Sequence, residues 1–256
     1  MCLLVIAFQM ITDAPLIVAA NRDERYDRDA TYLTSLSSVP PRILGGRDEL
    51  AGGTWLAVNE HGVVAGLTNK PSAAGRDPAK RSRGEIPLAL ARQESAAKAV
   101  ESLRATLAPS NFNPCWVLVG DRESLYYVDM TDPGGVRTQA LPPGVHVLEN
   151  KPLGEPSDKV EHVQELIGDL AGRSGDELLC SLRAVLRDHV VPPAIDDTEA
   201  SRRSAQISAC CVHTETYGTR SAMLVRDPVS DAQMPEVWAS NGPSCVNVLQ
   251  RASFAP

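Results

Sequence analysis

The chain begins with an almost unbroken apolar run. Cys2 leads into LLVIAF, turn residues follow at 12–15, and LIVAA runs straight into Asn21, Arg22, Asp23 and Glu24. Two short apolar runs joined by a turn predict a β-hairpin. A second hairpin is predicted further on. TWLAV alternates over residues 54–58, Asn59 to Gly62 supply the turn, and VVAGLT from Val63 is the return strand.

Helical spacing then takes over. Residues 84–108 are rich in Ala, Leu, Glu and Arg, with an interruption near Ser95 and a stop at Pro109, which predicts two consecutive helices. Strands resume with CWVLVG from Cys115, LYYVDM from Leu125 and VHVLEN from Val145. Residues 159–170 and 175–188 predict a second helical pair, and the polar stretch from Pro192 to Ser204 a loop. ISACCVHTE, RSAMLVRD and EVWAS read as late strands. Strands and helices in alternating blocks with tight hairpins predict antiparallel sheets covered by helices rather than a parallel βαβ sheet.

Composition narrows the class. The 256 residues are 43% hydrophobic and 22% charged with no low-complexity tract, enough for one sizeable core and a single domain over 1–256. A net charge of -7 argues against a nucleic-acid surface. Gln9, Thr12 and Asp13 interrupt the apolar start well short of the roughly 18 residues of a membrane span, and no basic region precedes it, so a soluble cytoplasmic protein is expected. Six cysteines without a C-x-x-C spacing indicate neither a disulfide framework nor a zinc site.

The most informative chemistry is at the second residue. Removal of Met1, which a small second residue allows, leaves Cys2 carrying both a thiol nucleophile and an α-amine with an unperturbed pKa of about 7.7–8.0. That amine can act as the general base, so no histidine is required, and it predicts a thiol titrating below the free-cysteine value of about 8.5. A tetrahedral intermediate also needs preorganised donors, for which asparagine amides and backbone N–H groups near glycines are suited.

Other features have plainer counterparts. NRDERYDRD reads as a charged turn or, because it directly follows an apolar strand, as a site segment. Gly45, Gly46, Gly52 and Gly53 read as permitting tight turns or positive φ rather than as a phosphate loop. Arg76, Lys80, Arg81 and Arg83 form a basic cluster, either solvated or rimming a pocket for an anionic group. Tyr217 to Arg220 reads as a turn into a strand, with Arg220 a candidate substrate or haem propionate contact. Cys211 and His213 share one face of a predicted strand and Cys210 the other, which falls short of four metal ligands. No metal or other cofactor is predicted.

MCLLVIAF, AANRDE, GGRDELAGGTWLAVNEHGVVAGLTN, SRGE and YGTRSA occur in one order between Cys2 and about Ser221. Together they resemble the NRDE family, also called the transport and Golgi organization protein 2 family. The resemblance implies an α+β N-terminal nucleophile hydrolase fold, a four-layer αββα sandwich, in a family tied to haem and lipid handling. The chain is also similar, more distantly, to choloylglycine hydrolases and penicillin V acylases, which cleave amides by thiol attack. The matching positions are Cys2, Asp23, Asn69 and Asn150, the Asp holding the nucleophile's region and the two Asn meeting the oxyanion or substrate. Their arginine, three residues before the Asp, is Ala20 here, and Arg22 beside Asp23 points to the opposite strand face. Thr68 and Asn69 both remain candidates to face the thiol. Arg22, Thr68, Arg83 and Arg220 are the candidate substrate contacts. Two functions follow: a cysteine amidase or acyl-transfer enzyme acting on a small amide or thioester, or a carrier of haem or a lipid-like acyl compound on the same fold.

Overall fold

A computed structural model describes residues 2–73, 75–191, 198–199, 205–230 and 233–254. In chain order its strands are β1 Leu3–Phe8, β2 Leu16–Arg25, β3 Ala30–Ser37, β4 Ile43–Asp48, β5 Leu56–Asn59 and β6 Val64–Asn69. Helices α1 Glu85–Leu90 and α2 Ala96–Thr106 follow. Strands β7 Cys115–Gly120, β8 Leu125–Asp129, β9 Arg137–Ala140 and β10 Gly144–Leu148 precede helices α3 Asp158–Ile167 and α4 Gly175–Arg187. The last strands are β11 Tyr217–Asp227, β12 Glu236–Asn241 and β13 Gln250–Ala252.

These form two antiparallel sheets. One has the order β10-β1-β2-β11-β12-β13, the other β3-β4-β5-β6-β7-β8-β9. Period-two alternation assigns each residue to a layer. Leu4, Ile6 and Phe8 join Val64, Trp116 and Leu118 between the sheets, whereas Leu3, Val5 and Ala7 pack with Val163, Leu178 and Leu182 of α3 and α4. Val63, Ala65, Val117 and Val119 pack with Ile86, Val100 and Leu103 of α1 and α2. Both faces of the central strands are therefore buried, which is why β1 and β7 read as continuous apolar runs. The result is the expected αββα sandwich.

The helix boundaries follow local chemistry. Ser95 breaks the first helical stretch because its side chain accepts from the Lys98 backbone N–H and caps α2. Ser174 and Glu177 form a reciprocal capping box at the start of α4.

Three expectations fail. Tyr217 to Arg220 open strand β11 instead of turning into it. Gly45 and Gly46 lie inside β4 instead of making a turn, and a Cβ at Gly46 would run into the Trp55 indole. Gly46→Ala should therefore displace Trp55 and lower stability by about 1–3 kcal/mol, read from chemical denaturation. ISACCVHTE is not a strand: beyond one bridge between His213 and Gly218, its backbone is satisfied elsewhere. The Asn21 side chain donates to the Cys210 carbonyl, the Cys211 N–H donates to the Asp188 carbonyl, and the Val212 N–H donates to Thr219 Oγ1. Buried apolar residues signalled a strand, but side chains and a helix end took the bonds a strand partner would have made. Of the predicted loop from Pro192 to Ser204, all but Thr198 and Glu199 lies outside the described residues.

Candidate active site

The opening hairpin carries Cys2 and Asp23 to the same end of the first sheet, since Leu3 pairs with Asn21 across β1 and β2. Asn69 ends β6 in the other sheet, and Asn150 follows β10. The Cys2 N–H donates to Asn150 Oδ1 at 2.9 Å, and Asn150 Nδ2 donates to the Asn69 carbonyl. One buried side chain thus ties the Cys2 nitrogen to the strand end in the opposite sheet.

A cavity of about 320 Å³ opens here, bordered by Cys2, Arg22, Asp23, Asn69 and Arg83 among others. Arg22 and Asp23 do leave their strand on opposite faces. The Arg22 guanidinium lies 4.6 Å from the Trp55 ring between the sheets, while Asp23 Oδ1 accepts from Thr219 Oγ1 of β11 at 2.6 Å. Both still border the cavity, which wraps around the strand end, so the opposite facing of Arg22 does not remove it from the site. A register shift in β11 between Thr219 and Ser221 keeps Thr219 opposite Asp23 and Ser221 opposite Arg22.

Burial dominates the electrostatics. It pushes the Cys2 thiol above its ordinary pKa, with the positive amino terminus of the chain pulling back and the Asp23 charge adding to the rise. That direction belongs to the chain with Met1 in place, where desolvation outweighs the neighbouring cations, and not to the processed thiol of the sequence expectation. Burial also raises the Asp23 pKa against the pull of the amino terminus and of Lys159. Asp23 Oδ2 and Lys159 Nζ are both buried without a hydrogen-bond partner among the described residues.

Other candidates fall differently. Thr68 is fully buried opposite Trp116, its hydroxyl without a partner among the described residues, and it does not border the cavity; Asn69 does. Arg83 donates to the Pro114 carbonyl at 3.3 Å, and burial lowers its pKa. Of the basic cluster, Arg76, Arg81 and Arg83 border the cavity and Lys80 does not. Arg220 is a correction: it clamps the turn after β2, donating to the carbonyls of Arg25 and Tyr26, and stands outside the cavity.

Sequence reasoning missed Arg28, Asp48, Trp55 and Lys159. Asp48 accepts from Arg28 and Arg22, which holds its carboxyl below the usual range although burial opposes this. Lys159 carried a faint signal, since a lysine in the first turn of a helix opposes the helix dipole. Among the described residues no carboxylate pairs with Arg76 or Arg83, so the cavity retains two cations for a ligand.

The family model for Transport and Golgi organisation 2 matches residues 1–232. The chain belongs to that family. The human transport and Golgi organization protein 2 homolog is 29% identical over 235 residues, 82% of this chain and 81% of the relative. The mouse homolog is 27% identical over 230 residues, with the same coverage. Among solved structures, a Caenorhabditis elegans N-acylethanolamine-hydrolyzing acid amidase ortholog superposes with a TM-score of 0.56 at 12% identity, covering 87% of this chain and 92% of that one. This chain therefore shares the fold of an N-terminal nucleophile hydrolase. No helix among its described residues is long and apolar enough to cross a membrane.

Proposed function

We propose that this chain is a cysteine hydrolase of the N-terminal nucleophile type, cleaving or transferring the acyl group of a small amide or thioester that carries an anionic group. The observation that carries the reading is the hydrogen bond from the Cys2 nitrogen to Asn150 Oδ1, beside a thiol that borders the cavity. The reading requires removal of Met1. The Cys2 nitrogen then becomes an amine with its lone pair held next to its own thiol.

The thiol sulfur adds to the substrate carbonyl while its proton passes to the amine. The carbonyl oxygen becomes an oxyanion, for which the Asn69 side chain and local N–H groups are the donors. Collapse breaks the bond to the leaving group, which takes the proton from the ammonium and departs, leaving an acyl thioester on Cys2. Water then attacks the thioester, gives its proton to the amine, and releases the acid and the free thiol. A buried neutral thiol suits this sequence, because it ionises only as it attacks.

The amide class is the one named for the worm fold relative, and the anionic group follows from Arg76 and Arg83. Carriage of haem or a lipid is the weaker reading. Eight of the cavity residues, Arg22, Asp23, Glu24, Arg28, Asp48, Arg76, Arg81 and Arg83, are charged, and a macrocycle or acyl chain needs apolar walls.

Intact mass and alkylation kinetics test the proposal together. The purified protein should lack Met1, and its alkylation rate should rise with pH at a lower inflection than a form whose amine is blocked by an added residue. A retained Met1, or coincident inflections, would defeat the amine-base mechanism.

A further inference from the structure

The tertiary structure assembles a second cluster, beside Thr219. Cys211 Sγ lies 3.8 Å from Cys245 Sγ and 3.6 Å from His213 Nε2, and His213 Nε2 lies 3.4 Å from Cys245 Sγ. His189 completes the group, with one ligand atom from each of the four residues within 4.8 Å of every other. We propose that His189, Cys211, His213 and Cys245 form a closed tetrahedral site for a structural zinc ion.

The distances carry the choice. Metal bonds of about 2.3 Å to sulfur and about 2.0–2.1 Å to imidazole nitrogen, at tetrahedral angles, put sulfurs about 3.8 Å apart and sulfur and nitrogen about 3.5 Å apart. The three measured edges match before any ion is added. A simple thiol pair would not need two imidazoles aimed at it, and a disulfide requires sulfurs about 2.05 Å apart. Two thiolates and two imidazoles in a tetrahedron select zinc over hard cations such as magnesium or calcium.

The surroundings fit a ligand set. His189 Nδ1 lies 3.0 Å from the Cys211 carbonyl, a contact that places the proton on Nδ1 and leaves Nε2 as the lone-pair donor. Cys211 is buried, whereas His189 and His213 reach the surface, which gives an ion an entry path. Four protein donors leave no open position, so the role is structural. Binding exchanges each thiol S–H for an S–Zn bond and releases two protons to solvent.

The sequence hid this site because its donors come from three separated segments. His189 follows the end of α4, Cys211 and His213 precede β11, and Cys245 follows β12. The Cys211 N–H bonds to the Asp188 carbonyl and Ser244 Oγ bonds to the Leu186 carbonyl, so the segments already meet without an ion. The spacing of Cys210, Cys211 and His213 offered only two donors on one face, and the fold supplies the other two. Val212, between two of the donors, exchanges hydrogen bonds with Thr219, whose hydroxyl holds Asp23. An ion here would brace the strand that positions the cavity carboxylate.

The test is metal binding by the full chain purified under reducing conditions. Metal-stripped wild type titrated with Co2+ should take up one equivalent with thiolate charge-transfer and intense tetrahedral ligand-field absorption. Zn2+ should bleach that spectrum and raise the melting temperature. Cys245→Ser and, separately, the exposed-site variant His189→Gln should each weaken Co2+ binding by on the order of 100-fold, and Zn2+ should no longer raise their melting temperatures. His189→Gln keeps the readout available if Cys245→Ser fails to fold. A wild-type cobalt spectrum without thiolate character, no uptake, or an unchanged spectrum in His189→Gln would overturn the site, as would a Cys211–Cys245 disulfide in the reduced preparation.

Discussion

Cys2→Ala will fold and will turn over no amide or thioester. The substitution removes a single sulfur that borders an open cavity, so little core volume is lost and stability should change by no more than about 1 kcal/mol. Catalysis is another matter. Without sulfur there is no acyl thioester, and the amine, Asn69 and the cavity arginines have no covalent intermediate to act on. Loss of kcat by at least about 10³-fold is expected, with substrate binding retained because the cavity walls are unchanged. Cys2→Ser should keep slow residual turnover, since the hydroxyl is a weaker nucleophile held by the same amine. Full activity in the alanine variant, with processing verified by mass, would exclude covalent catalysis at this residue.

Asn150→Leu should have the next largest effect. Asn150 accepts from the Cys2 nitrogen and donates to the Asn69 carbonyl, and in the proposed mechanism it positions the amine, so leucine strands two polar groups at the junction of the sheets. Each buried group left without a partner costs about 1–3 kcal/mol, and a misplaced amine should lower kcat/KM by about 10²–10³-fold. Asn69→Ala separates positioning from oxyanion stabilisation. Loss of the Asn69 amide should lower kcat while leaving the pH profile of Cys2 alkylation intact, whereas Asn150→Leu should shift that profile as well. Wild-type alkylation and wild-type kcat/KM in Asn150→Leu would remove the amine from the mechanism.

Much of the architecture was legible because periodicity is a local signal. The β1–β2 hairpin, the β5–β6 hairpin, the split helical pair at Ser95 and the capped α4 all follow from residues within a few positions of one another. Two of the failures share a cause. Gly46 faces a distant indole, and the segment around Cys211 trades its backbone bonds with Asn21, Asp188 and Thr219, none of which is near it in sequence.

The candidate site divides along the same line. A cysteine at position 2, a carboxylate at the end of β2 and an asparagine at the end of β6 are strand-end placements, and the hairpin brings Cys2 and Asp23 together because it is short. Whether Thr68 or Asn69 reaches the cavity depended on how the second sheet lies over the first. Arg220 looked equally free in sequence, yet backbone carbonyls of a turn claim its guanidinium. The direction of the Cys2 pKa needed the depth of burial, and the cluster of His189, Cys211, His213 and Cys245 needed three chain segments to converge. Periodicity, turns and caps are encoded locally, so the sequence by itself determined the hairpins and helices they mark, but not β3, β4, β9 or β13. Desolvation and the meeting of distant side chains depend on how the layers stack, and only the tertiary structure decided them.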